Sequence, residues 1–133
     1  MIVQRAWSIY LFTYVGTGTD APNLGFVIAG TSAKRILIRA VGPALAQFGV
    51  TGVIADPQFE LYREGVRIDQ NDNWGGLAML TNAFEQVGAF GMKDASSRDA
   101  ALLATLEPGA YSVVVSGQGG TTGVTLIEIY DAH

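Results

Sequence analysis

The chain has 133 residues, a net charge of −4 and no cysteine, which bounds it to one domain long enough to bury its own core and excludes disulfides, thiolate nucleophiles and cysteine-based zinc sites. Its eight Lys and Arg are scattered singly, so there is no basic patch for nucleic acid, and no apolar run reaches the roughly 20 residues needed to span a bilayer. Seventeen glycines and 49% apolar residues with only 15% charged point to many short strands joined by tight turns.

Residues 6–15 (AWSIYLFTYV) read as the first strand, apolar on both faces. Trp7, Ile9, Leu11 and Val15 share one face; Tyr10, Phe12 and Tyr14 share the other with Ser8. A sandwich strand with one wet face alternates apolar with polar. The second face is therefore covered by a loop or helix, or it meets another subunit. Arg5 before this run suggests a signal peptide, but Ser8 and Thr13 interrupt it and no small-x-small cleavage site follows. An export leader is expected upstream or already removed. Residues 16–23 form a Gly/Thr-rich loop, so residues 1–23 are a strand and flexible hinge placed to pair with a neighbouring subunit.

Residues 24–29 are the second strand and residues 34–41 the third, with Ile36, Ile38 and Ala40 inward and Arg35, Leu37 and Arg39 on the opposite face. Gly42-Pro43 ends it, because proline cannot donate to a ladder. Residues 44–49 read as one helical turn, with Leu45 and Phe48 plugging the core. Residues 59–63 and 66–69 form a hairpin across Glu64-Gly65. Residues 77–87 are the one helix, with Leu77, Leu80, Ala83, Phe84 and Val87 at spacings of three and four. Residues 102–106 and 111–116 are strands closed by a Pro108-Gly109 turn, and a glycine loop at 117–120 precedes the last strand.

The run Asp69-Gln70-Asn71-Asp72-Asn73 is the candidate metal site. Calcium takes six to eight oxygen ligands, and Asp69, Asn71 and Asn73 are spaced to supply three. Trp74 in place of the loop glycine and Leu80 in place of the closing glutamate exclude an EF-hand. The alternative is that these side chains bend the chain by bonding their own backbone. Trp74, between Asn73 and Gly75, is the candidate sugar-stacking platform, or else a lid on the core. Asp94, Arg98 and Asp99 are placed to form an ion pair. Catalysis has little footing. The lone histidine is the terminal His133, so no serine has an imidazole base. Asp56, Glu60, Asp69, Asp72, Glu85 and Asp99 cannot be paired from sequence into the carboxylate couple of a glycosidase. The 117–120 glycines precede a strand rather than a helix, so they make no phosphate loop.

Residues 14–131 resemble a module of large exported or surface proteins of Verrucomicrobia and related environmental bacteria. Arg39-Ala40-Val41-Gly42-Pro43 and Gly120-Thr121-Thr122-Gly123 are the most specific parts of that resemblance. More loosely, the Asn71-Asp72-Asn73 turn followed by Leu-x-Pro-Gly-x-Tyr, Leu106 to Tyr111, is similar to bacterial pre-peptidase C-terminal domains. The resemblance implies a jelly-roll-like sandwich in an exported, non-catalytic module, and some such domains bind calcium or polymeric substrates. The aromatic first strand departs from the more polar one expected of those relatives.

The expectation is thus an all-β protein, residues 1–133 as a single antiparallel β-sandwich of about eight strands with one short helix. It is expected to be extracellular or on the cell surface, with no enzymatic activity, no certain cofactor beyond the calcium candidate, and no membrane insertion. The leading function is a structural module that self-assembles as a fibre subunit through Trp7, Ile9, Tyr10, Leu11, Phe12 and Tyr14. The alternative is an accessory module binding glycan or matrix polymer.

Overall fold

The computed structural model describes residues 7–17, 21–92 and 94–132. Position 6 of the expected first strand, residues 18–20 of the expected hinge and His133 lie outside them. The described residues form, in chain order, β1 (Ser8–Val15), β2 (Asn23–Ile28), β3 (Lys34–Val41), a 3-10 turn (Pro43–Phe48), β4 (Pro57–Arg63), β5 (Val66–Asn71), α1 (Ala78–Val87), β6 (Ala100–Leu106), β7 (Gly109–Gly117) and β8 (Gly123–Asp131).

Two four-stranded sheets, β1-β8-β3-β6 and β2-β7-β4-β5, are antiparallel throughout. This is the strand order of a jelly roll, the expected class. Alternation places Ile36, Ile38, Phe59, Leu61, Val113, Val115, Ile127 and Ile129 between the sheets, each at most 1% exposed. The β4–β5 hairpin turns through Glu64 and Gly65, both at positive φ, the geometry that follows the strands' right-handed twist.

A second apolar layer lies on the outer face of the first sheet. There α1 seats Leu80, Ala83 and Phe84 against Leu37, Trp74, Ala101 and Tyr130. This layer also swallows a charge. Arg39 is on the outward face of β3, as its alternation requires, yet it is fully buried. Its Nε donates to Glu128 Oε1 at 2.9 Å and its Nη1 to the Phe90 carbonyl at 2.6 Å. The guanidinium sits 4.6 and 4.5 Å from the ring centres of Phe84 and Phe90. Tyr130 donates its hydroxyl to Glu128 Oε2. Burial, then that bond to a carboxylate, pushes the phenol well above its ordinary range.

Several expectations need correction. Residues 102–106 and 111–116 are not a hairpin: β6 and β7 belong to different sheets, and the chain crosses between them at Glu107-Pro108, where the Tyr111 hydroxyl donates to the Glu107 carbonyl at 2.5 Å. Phe48 is not a core plug. It is 58% exposed and meets Phe90 edge-on at 4.9 Å, while Leu45 is buried. Leu77 is likewise exposed, because it precedes the first helical turn rather than lying on the helix's buried face. Asp99 forms no ion pair with Arg98. It is fully buried and its Oδ1 accepts from the Gly42 and Ala44 N–H groups, tying the 3-10 turn to the start of β6.

Candidate functional site

The two-faced first strand resolves into two different environments. β1 pairs with β8 of its own chain from Ser8↔Tyr130 to Val15↔Gly123. Trp7, Ile9, Leu11 and Val15 pack into the inter-sheet core. Tyr10, Phe12 and Tyr14 project from the outer face and are 56%, 57% and 62% exposed. The helix covers this face over β8, β3 and β6, and its C-terminal Gln86 and Val87 share a cleft with Ser8 and Tyr10; Tyr10 meets Tyr130 edge-on at 5.6 Å. The Asp131 N–H donates to the Trp7 carbonyl at 2.9 Å. Antiparallel alternation then turns the backbone groups of Ser8, Tyr10, Phe12 and Tyr14 away from β8, towards the free edge. Edge backbone and aromatic row thus belong to the same residues.

The stacking platform expected at Trp74 is not there. Trp74 is 6% exposed, tilted against Phe84 at 5.5 Å between ring centres, and its Nε1 donates to the Asp94 carbonyl at 3.2 Å. Its faces are spent on the helix layer, so it is a core lid.

The calcium candidates are also otherwise engaged. β5 continues through Asn71, so Asp69 and Asn71 lie on an extended strand rather than curling round a centre. Asp69 Oδ1 accepts from the Gln70 N–H at 2.8 Å, and Asn71 Oδ1 from the Ala101 N–H at 3.0 Å. Asn73 is exposed beyond the strand end. Among the described residues no three acidic, His or Cys side chains gather as a metal cluster.

The acidic residues that do meet are Asp56, just before β4, and Asp72, just after β5. Antiparallel pairing of β4 with β5 brings these positions to the same end of the second sheet. The Oδ1 atoms of both are buried without a hydrogen-bond donor. Burial, then the hydrogen bond and charge of Asp72, raise the Asp56 carboxyl above its ordinary 3.8; Arg98, 3.6 Å from Asp56 Oδ2, pulls it the other way. The Arg98 ion pair is therefore with Asp56 rather than with its sequence neighbours.

One polar groove of about 540 Å³ opens on the second sheet, lined by Gln58, Glu60, Arg67, Gln70, Asn71 and Asp72 among others. Arg67 Nη1 donates to Glu60 Oε2 at 2.9 Å across its floor. Gln58, Arg67 and Gln70 carry no motif. Their only sequence signal is the polar half of the alternation along β4 and β5.

No family model matches the chain, and no curated protein matches it. Among solved structures, it is similar to the pre-peptidase C-terminal domain of a collagenase from Bacillus anthracis. The TM-score is 0.54 with 12% identity, over 91% of this chain and 87% of that one. At that identity the likeness is one of fold, and it agrees with the sandwich expected from the Leu106–Tyr111 turn. Among the described residues no helix is long and apolar enough to cross a membrane.

Proposed function

We propose that the protein is a non-catalytic extracellular module whose copies assemble with one another through β1. The observation that carries this reading is the row Tyr10, Phe12 and Tyr14, more than half exposed on a strand whose second edge pairs with no other strand among the described residues. Exposed aromatics joined to free backbone donors and acceptors are what strand addition uses: main-chain bonds supply affinity and side chains supply specificity. The fold neighbour is one domain of a collagenase, which suits an exported accessory unit with no chemistry of its own. Trp7, Ile9 and Leu11 contribute by holding β1 in register from the core side.

Light scattering across a concentration series tests this. Wild-type protein should grow in mass above the 14.0 kDa of one chain, and Phe12→Lys should remain at that mass with an unchanged melting temperature. A wild-type monomer at every concentration would end the reading. The point variant is a cleaner tool than removal of residues 1–15, which would also strip Trp7, Ile9, Leu11 and Val15 from the core.

A second reading, an accessory module binding glycan or matrix polymer, is favoured by the polar groove on β4 and β5. Its amides, carboxylates and guanidinium are the planar groups that bond sugar hydroxyls in pairs. Gln70→Ala and Arg67→Ala should then abolish retention on polysaccharide columns, and retention of both variants would move the ligand elsewhere.

A further inference from the structure

Among the described residues the first sheet has two edges, β1 and β6, and neither strand is guarded by charge or proline, although Asn71 caps β6 at Ala101. Ser8–Val15 and Ala100–Leu106 contain no charged residue and no proline. Exposed edges of soluble proteins are normally blunted by charge, proline or a bulge. In the second sheet the edge strand β5 carries Arg67 and Asp69 and a register shift against β4 at Leu61/Tyr62, while the other edge, β2, is likewise without charge or proline.

The two unprotected edges are complementary. On β6 the Ala101 N–H points away from β3, since it donates to Asn71 Oδ1. By alternation the backbone groups of Leu103 and Thr105 also face the free edge. Beside them, on the same outer face that carries the aromatic row at the other edge, lies an apolar pocket of about 210 Å³. Trp74, Leu77, Met79, Leu80, Ala101 and Leu103 help to line it. Leu77 and Met79 are 53% and 56% exposed, large apolar side chains with nothing over them among the described residues.

Strand direction allows the match. β1, β8, β3 and β6 alternate strictly, so a second copy's β1 laid antiparallel on β6 continues the alternation with both copies in the same orientation. Parity allows it as well. The free-edge residues of β1 are those with outward side chains, and the same holds for Ala101 and Leu103 of β6. With Asn71 covering the edge at Ala101, a register that sets Phe12 opposite Leu103 sets Tyr10 opposite Thr105.

We infer that β6 and its apolar pocket form the receptor for the β1 edge and aromatic row of another copy of this chain, with the Phe12 ring in the pocket. This rests on the self-assembly reading and names its partner surface. The contact is heterologous, β1 against β6, and it propagates as an open filament wherever its rotation does not close into a ring.

Two exposed positions separate this from other modes. Phe12→Lys spoils the donor edge and leaves the receptor intact; Met79→Glu does the reverse. Each variant alone should scatter as a single chain, whereas an equimolar mixture should form pairs of twice 14.0 kDa and stop there, since each pair has only one sound donor meeting one sound receptor. Thermal melts of each variant check that the fold is kept. If Met79→Glu assembles like wild type, the receptor assignment is overturned while self-assembly stands. If the mixture stays monomeric, the complementarity is overturned. If wild type itself never assembles, the failure lies with the self-assembly reading.

Discussion

Replacing Glu128 by leucine should be among the most damaging single changes in this molecule that leave its surface untouched. Arg39 and Glu128 are 0% and 2% exposed, and Glu128 Oε1 receives Arg39 Nε at 2.9 Å with Nη2 at 2.8 Å. Without Glu128 the guanidinium stays buried with the Phe90 carbonyl as its remaining acceptor and two aromatic faces as its remaining counter-charge. Removing one partner of a buried pair costs about 3–5 kcal/mol, and replacing both by apolar groups is often neutral. The two rings, each worth about 0.5–2 kcal/mol, hold the expected loss near the lower end, about 3 kcal/mol. For a chain of this length that lowers the melting temperature by on the order of 10 °C. Urea unfolding of Glu128→Leu, Arg39→Met and the double variant forms the cycle. Both singles should lose about 3 kcal/mol and the double no more than either single, giving a coupling of about 3 kcal/mol or more. Additive losses, or singles costing under about 1 kcal/mol, would refute the reasoning and make the pair a passenger of the surrounding packing.

Three further outcomes follow from the same geometry. Asp72→Asn removes the charge that helps raise the Asp56 carboxyl and offers its ionised form an amide N–H donor. A raised carboxyl in the folded state takes from stability above its folded pKa, and that penalty fades as pH falls towards 3.8; the variant should therefore melt a few degrees higher than wild type at pH 7, with the gain shrinking on acidification. A constant gain at all pH values would assign it to packing. Trp74→Ala should destabilise by about 3–5 kcal/mol through the cavity it leaves beside Phe84, seen in urea melts; an unchanged midpoint would mean the ring is not a core lid. Gly42→Ala puts a Cβ 2.3 Å from the Ile54 carbonyl oxygen, and overpacking of this kind costs about 1–3 kcal/mol. Full stability in that variant would show that the Ile54 segment moves aside freely.

The local grammar of the chain was enough for its elements. Lys34–Val41 as a strand, the hairpin at Glu64-Gly65 and a helix ending at Val87 follow from periodicity and turn residues, which act over a few neighbours. The doubled apolar pattern of β1 also signalled an unusual strand, and the uncharged run at Ala100–Leu106 was readable as the same absence of protection. What one strand does with its second face depends on which element lands there. Only the packing decided that α1 shields β8, β3 and β6, so that Arg39 vanishes beneath Phe84 and Phe90 while Phe12 stays exposed. Trp74 and the Asp69–Asn73 run each stayed open between two readings for the same reason. A tryptophan beside glycines and an acidic-amide turn look alike in sequence whether exposed or committed, and the commitment comes from partners 10 to 30 residues away, Phe84, Asp94 and Ala101. Composition and spacing determined the sandwich and its non-catalytic character as an expectation; the meeting of Asp56 with Asp72, and of two unprotected edges with one pocket, is a property of chain crossings, which no local pattern encodes.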